Sequence, residues 1–96
     1  MKLLVVGHSV LDYIKSETQQ KISAGGIFYS ISALNRLKSD EDELFLCSQF
    51  DDETYSYFKP EFEKVNNKFL QKVEKIPRVH LNVQKDRERH EAYENI

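Results

Sequence analysis

Apolar positions along the chain change their period several times, and each change marks an element. Leu3-Leu4-Val5-Val6 is a continuous apolar run closed by Gly7, the pattern of a strand buried on both faces of a parallel sheet. It is expected to be the first, central strand. Val10, Leu11, Tyr13 and Ile14 gather around Asp12, and the polar stretch from Lys15 to Gln20 reads as an exposed loop or hairpin tip. Gly25-Gly26 opens a new period. Ile27, Ile31, Leu34 and Leu37 recur at helical spacing, which predicts a helix over about 26–37 with one face on the sheet.

The acidic run Asp40 to Glu43 predicts a loop, and Leu44-Phe45-Leu46-Cys47 a second strand buried on both faces. Tyr55, Phe58, Phe62, Val65 and Phe69 then follow at spacings that fit a helical core stripe capped by Asp51 or Asp52. Pro60 interrupts it, because a proline inside a helix removes a hydrogen bond and crowds the preceding turn. A kink, or two short helices meeting near Lys59, is expected there. Beyond Pro77 the period falls to two. Val79, Leu81 and Val83 alternate with His80, Asn82 and Gln84, so this segment reads as a strand with one wet face. A turn over Lys85 to Glu88 and a return strand over Arg89 to Tyr93 complete a hairpin.

A chain of 96 residues allows one small domain with a thin core. No apolar run approaches the ~20 residues of a spanning helix, and the opening apolar stretch is too short for a signal sequence. The expectation is a cytoplasmic protein without a membrane partner. The single Cys47 cannot form an internal disulfide, and its apolar neighbours suggest a buried, inert thiol. Residues 1–58 hold five basic and nine acidic side chains and residues 59–96 nine basic and seven acidic, net −4 and +2. Lys64, Lys68, Lys72 and Lys75 alternate with Glu61, Glu63 and Glu74, which suits a solvated face and not a nucleic-acid surface.

Few residues offer chemistry. Asp12 lies just past the carboxyl end of the first predicted strand, the edge where open α/β sheets bind ligands, and its carboxylate can accept hydrogen bonds from two hydroxyls at once. The same aspartate in a loop needs no ligand. Gly25-Gly26 at a helix start lets backbone approach a ligand while free N–H groups face its oxygens, though a tight turn would use the same pair. His8, His80 and His90 with Cys47 have no metal-ligand spacing, and His80 falls on the polar phase of its strand, so it is expected in solvent.

Taken together, the strand with Gly7 to Asp12, the Gly25-Gly26 helix start with Ser32 to Leu37, and Phe50-Asp51-Asp52 after the next strand resemble the opening region of the ribokinase-like, or PfkB-type, carbohydrate kinases. The resemblance covers nearly the whole chain. It implies an α/β fold: the N-terminal part of a ribokinase-like fold, with a small parallel βαβ layer and a β-hairpin lid built from strands at about 10–23 and 79–96. It also implies a function, the acceptor-binding half-site of an ATP-dependent sugar or nucleoside kinase. Asp12, Gly25, Gly26 and Ser30 are the substrate-binding positions so implied. The chain departs from the family pattern at Val10, Ile27 and Ser30, where ribokinases carry polar sugar contacts, and at Phe50, where they carry glycine. These departures leave the substrate open and support an alternative, a ligand-binding or assembly module that keeps the fold without catalysis.

The family's phosphate-holding Gly-Ala-Gly-Asp element needs two glycines, and the three in this sequence are all already placed. No catalytic residue is therefore assigned. ATP and Mg are expected for a complete enzyme and not for this segment alone, with the nucleotide-binding part outside these residues. The lid strands are expected to contribute to a homodimer or to cover the substrate, and no metal site is assigned.

Overall fold

The computed structural model describes residues 1–82 and 90–94. In chain order the elements are β1 (Lys2–Val6), β2 (Ser9–Lys15), β3 (Gln20–Gly26), α1 (Ile27–Leu37), β4 (Glu43–Phe50), a 3-10 turn (Tyr55–Tyr57), α2 (Lys59–Phe62), β5 (Asn66–Lys72), β6 (Arg78–Asn82) and β7 (His90–Glu94). They form two sheets. The first runs β1-β4-β5 with every pair parallel. The second runs β3-β2-β6-β7, two antiparallel hairpins joined by a parallel β2–β6 seam. The fold class is α/β, and the hairpin lid is a four-stranded sheet made of both segments that read as lid strands.

One core fixes the sheets to the helices. Leu11 and Ala24 from the lid, Ile27 and Ile31 from α1, Leu46 from β4, Phe58 and Phe62 around α2, and Ile76 before β6 form a single buried cluster. The Phe58 and Phe62 rings sit 5.2 Å apart at a 41° tilt, with Phe28 of α1 at 6.0 Å from the first. Removing a ring of this kind costs ~3–5 kcal/mol. Because α1 and α2 both cover the same face, the parallel sheet has helices on one side only among the described residues.

That one-sidedness corrects several expectations. β1 is not a central strand buried on both faces. It lies at the end of the described sheet, and Leu4 and Val6 are 60% and 66% exposed. β4 is the central strand, with Leu44 and Leu46 buried inward and Phe45 and Cys47 half-buried on the outer face. The Cys47 thiol is therefore not deeply buried. The aromatic stripe is likewise shorter than its spacing suggested. Pro60 stands at the start of α2, so the short helices do meet near Lys59, but the chain then extends into β5. Phe69 consequently falls on the outer sheet face, 44% exposed, rather than in the core. The chain exposes 6772 Å² in all, about 1,000 Å² more than the ~5,700 Å² expected of a folded monomer of this mass.

Two further corrections concern the lid. Asp12 belongs to β2 rather than to a loop. His80 is half-buried rather than solvated, its ring stacked 4.7 Å from that of Tyr13 on the neighbouring strand. The turn expected over Lys85 to Glu88, like Val83, lies outside the described residues.

A buried carboxylate joins the two sheets. Asp51, 1% exposed, caps no helix. Its Oδ1 accepts the Thr54 N–H at 2.8 Å and the Thr54 hydroxyl at 2.5 Å, and its Oδ2 accepts the Ile76 N–H at 2.9 Å. Arg78, at the start of β6, places Nη2 3.8 Å from the same oxygen and 3.7 Å from Glu53. Burial on its own pushes the Asp51 carboxyl up, but the bonds from Thr54 and Ile76 and the Arg78 charge outweigh it and hold the group below its ordinary value. Asp52, next in the chain, points to solvent and pairs with Lys72 at 2.6 Å.

Candidate functional site

β3 runs into α1 with no intervening loop, and two glycines make that junction. Gly26 has φ +63°, a conformation in which a side chain is strained, and a Cβ there would collide with the His8 carbonyl. The junction is closed by the Ile27 N–H donating to that same carbonyl at 2.8 Å. No side chain caps α1, and its first turn carries no acidic residue. Gly25 is buried and pairs with Val10 on β2, so it is the diagonal neighbour of Asp12 on the same sheet face. A Cβ at Gly25 would overlap the Asp12 carboxylate. Only glycine leaves this carboxylate room to lie against the backbone.

Asp12 itself stands between Ser23 on β3 and Val79 on β6. The Tyr29 hydroxyl, from the first turn of α1, donates to its Oδ2 at 3.4 Å. Burial raises the Asp12 carboxyl above its ordinary value, and the Tyr29 bond takes back part of that rise. The result is a half-buried acid beside a helix start, with oxygens left to accept hydrogen bonds.

Asp12, Gly25 and Gly26 are thus brought together. Ser30 is not part of the cluster. It is exposed in the first turn of α1, and the hydroxyl that reaches Asp12 belongs to Tyr29. Tyr29 was not marked by the sequence, since an aromatic in an amphipathic helix reads as packing. The one usable signal is its place two residues after Ile27, off the buried stripe. Val10 is half-buried and Ile27 lies in the core, so neither offers the polar contact that ribokinases have at these positions.

A groove lies elsewhere. It measures about 430 Å³ at the carboxyl ends of β1 and β4, on the outer face of the parallel sheet, and is lined by residues including His8, Cys47, Gln49, Phe69 and Gln71. None of Asp12, Gly25 and Gly26 lines it. Its floor is the same face that no described element covers, so it reflects the one-sided sheet more than a shaped ligand site. No group of three or more potential metal ligands occurs among the described residues, and no described helix is long and apolar enough to cross a membrane.

The fold resembles that of solved kinase structures. Ribokinase from Cryptococcus neoformans var. grubii serotype A, solved in complex with ADP, superposes with a TM-score of 0.76 at 16% identity over 97% of this chain and 34% of that one. Ribokinase from Arabidopsis thaliana, complexed with ribose and ATP, gives 0.72 at 12% identity over 95% and 35%. The nucleoside kinase of Methanocaldococcus jannaschii, an archaeal member of the ribokinase family, gives 0.65 at 20% identity over 96% and 36%. The fold is therefore that of part of a ribokinase-like kinase, and the chain spans about a third of the length of these structures. No family model matches the sequence. No curated protein matches it either.

Proposed function

We propose that residues 1–96 form the substrate-side segment of an ATP-dependent sugar or nucleoside kinase, with Asp12 as the acceptor-holding group. The observation that carries this reading is the Asp12 carboxylate seated over Gly25 beside the Gly26 turn into α1, in a fold shared with such kinases. Asp12 accepts hydrogen bonds from neighbouring hydroxyls of the acceptor and orients it, while Gly25 and Gly26 let the acceptor approach the backbone. In this reading the nucleotide's phosphates are held outside the described residues. A side chain at Gly7 would meet Ile27, one at Gly25 would meet Asp12 and one at Gly26 would meet His8, so all three glycines serve packing or the cradle. ATP and Mg accordingly belong to the complete enzyme, and no transfer step is assigned to this segment.

The test is Asp12→Ala, with acceptor affinity measured by calorimetry. Loss of a charged hydrogen bond is expected to cost ~1.5–3 kcal/mol, and unchanged affinity would remove the basis of the reading. One observation favours a second reading, a binding module without catalysis: Ile27 is buried in the core, so a polar contact used by ribokinases has been given over to packing. Sugar binding by the complete protein with no ATP consumption would decide for the module. A homodimer through the lid strands and a cytoplasmic setting accompany either reading. Sedimentation of a Leu81→Glu variant tests the dimer.

A further inference from the structure

The lid face that carries Asp12 is divided into a polar half and an apolar half. Residues paired across neighbouring strands share a face. Ser23 pairs with Asp12, Asp12 with Val79, and Val79 with Tyr93, so these four stand in one row across β3, β2, β6 and β7. On one side of the row are a hydroxyl and a carboxylate, with the Tyr29 hydroxyl above them. On the other are an aliphatic side chain and an aromatic ring, the ring 56% exposed. Leu81, two residues beyond Val79 on the same face, extends the apolar side and is half-buried.

From this juxtaposition we infer that the acceptor is a ribonucleoside rather than a free pentose. The inference rests on the acceptor reading of Asp12 given above. A free pentose has hydroxyls around its ring and gains nothing from the Val79 and Tyr93 side. A ribonucleoside matches both halves. Its sugar hydroxyls reach the Asp12 carboxylate, and its planar base covers Val79 and lies against the Tyr93 ring. The span fits as well: Tyr93 is two strand spacings from Asp12, about 10 Å, which a pentose ring alone does not bridge. An aromatic ring is a platform any base can use, since each base has a π-face, so the row predicts preference for the nucleoside class more strongly than for one base.

The experiment is calorimetric titration of the chain with ribose, uridine and adenosine, for the unaltered protein and for Tyr93→Ala, Tyr93→Phe and Asp12→Asn. Circular dichroism of each variant establishes that it is folded. The inference predicts that both nucleosides bind at least tenfold more tightly than ribose. Tyr93→Ala is expected to bring nucleoside affinity down to that of ribose while leaving ribose unchanged, and Tyr93→Phe to restore it. Asp12→Asn should weaken all three ligands. Ribose binding as tightly as the nucleosides, or a nucleoside advantage that survives Tyr93→Ala, overturns this inference and leaves the Asp12 reading standing. No saturable binding of any of the three, or binding untouched by Asp12→Asn, overturns both.

Discussion

Replacing Asp51 by alanine should destabilise the chain more than almost any other single polar substitution, although Asp51 touches no candidate ligand position. Its carboxylate is 1% exposed and takes three hydrogen bonds, at 2.8, 2.5 and 2.9 Å, from Thr54 and from the backbone of Ile76. Alanine would strand two buried N–H groups. It would also leave the buried Arg78 charge with the exposed carboxylate of Glu53, at 3.7 Å, as its counter-ion, while its Nη1 still donates to the Ile76 carbonyl at 3.2 Å. Arg78 stands 3.8 Å from Asp51, beyond a good hydrogen bond, so its share is chiefly charge attraction. Breaking one side of a buried ionic group typically costs ~3–5 kcal/mol. A domain of this size loses about 4–8 °C of Tm per kcal/mol, so a drop of about 12 °C or more is expected. Urea unfolding followed by circular dichroism measures it. The double variant Asp51→Ala, Arg78→Met should lose less than the two single losses added, because no unpaired charge then remains buried. A cost under ~1 kcal/mol for Asp51→Ala, or strict additivity in the cycle, would refute this account of how the sheets are joined.

Other expectations follow from the same geometry. Because the folded Asp51 carboxyl lies below its ordinary value of 3.8, its contribution is fully present above that pH and is lost as pH falls through the lower folded value; Asp51→Asn should flatten this acid limb of the stability profile. Asp12 has the opposite sign. Its folded value is raised, so its contribution falls as pH rises past 3.8, and Asp12→Asn should leave stability at neutral pH unchanged or improved while acceptor binding is lost, as thermal melts beside calorimetry would show. Gly26→Ala meets a positive φ and the His8 carbonyl together, so its unfolding free energy from urea titration should drop by at least the ~1–3 kcal/mol of the backbone strain alone. Leu4→Lys and Val6→Lys should each change stability by no more than ~0.5 kcal/mol in urea unfolding, since both side chains face outward. A large loss of stability from either would show that this sheet face is packed.

What the sequence revealed divides along physical lines. Local signals were readable as elements: the helix from Ile27 to Leu37, although its buried stripe stops short of the 81% exposed Leu37, the strand through Val79 and Leu81, although the buried side of that strand carries Arg78, and the glycine pair where strand turns into helix. Relations set by distant packing were not. The run Leu3 to Val6 is apolar whether one face or both are covered, so only the structure shows that Leu4 and Val6 face outward. Phe69 kept helical spacing with Phe62 by coincidence, because α2 ends at Phe62 and β5 begins at Asn66. Asp51 looked like a helix cap, since its other partners, Ile76 and Arg78, lie more than twenty residues away. At the candidate site Asp12, Gly25 and Gly26 were legible from their types and order. Tyr29 was not, because its role depends on where the first helical turn sits over β2.

The central claim is that Asp12 holds the acceptor, and the most direct measurement is a crystal structure of the chain with uridine or ribose bound. The account predicts two adjacent hydroxyl oxygens ~2.5–3.0 Å from the Asp12 carboxylate, with the ligand lying over Gly25 and Gly26. A ligand seated instead in the outer groove of the parallel sheet, against Cys47 and Phe69 and away from Asp12, would contradict it.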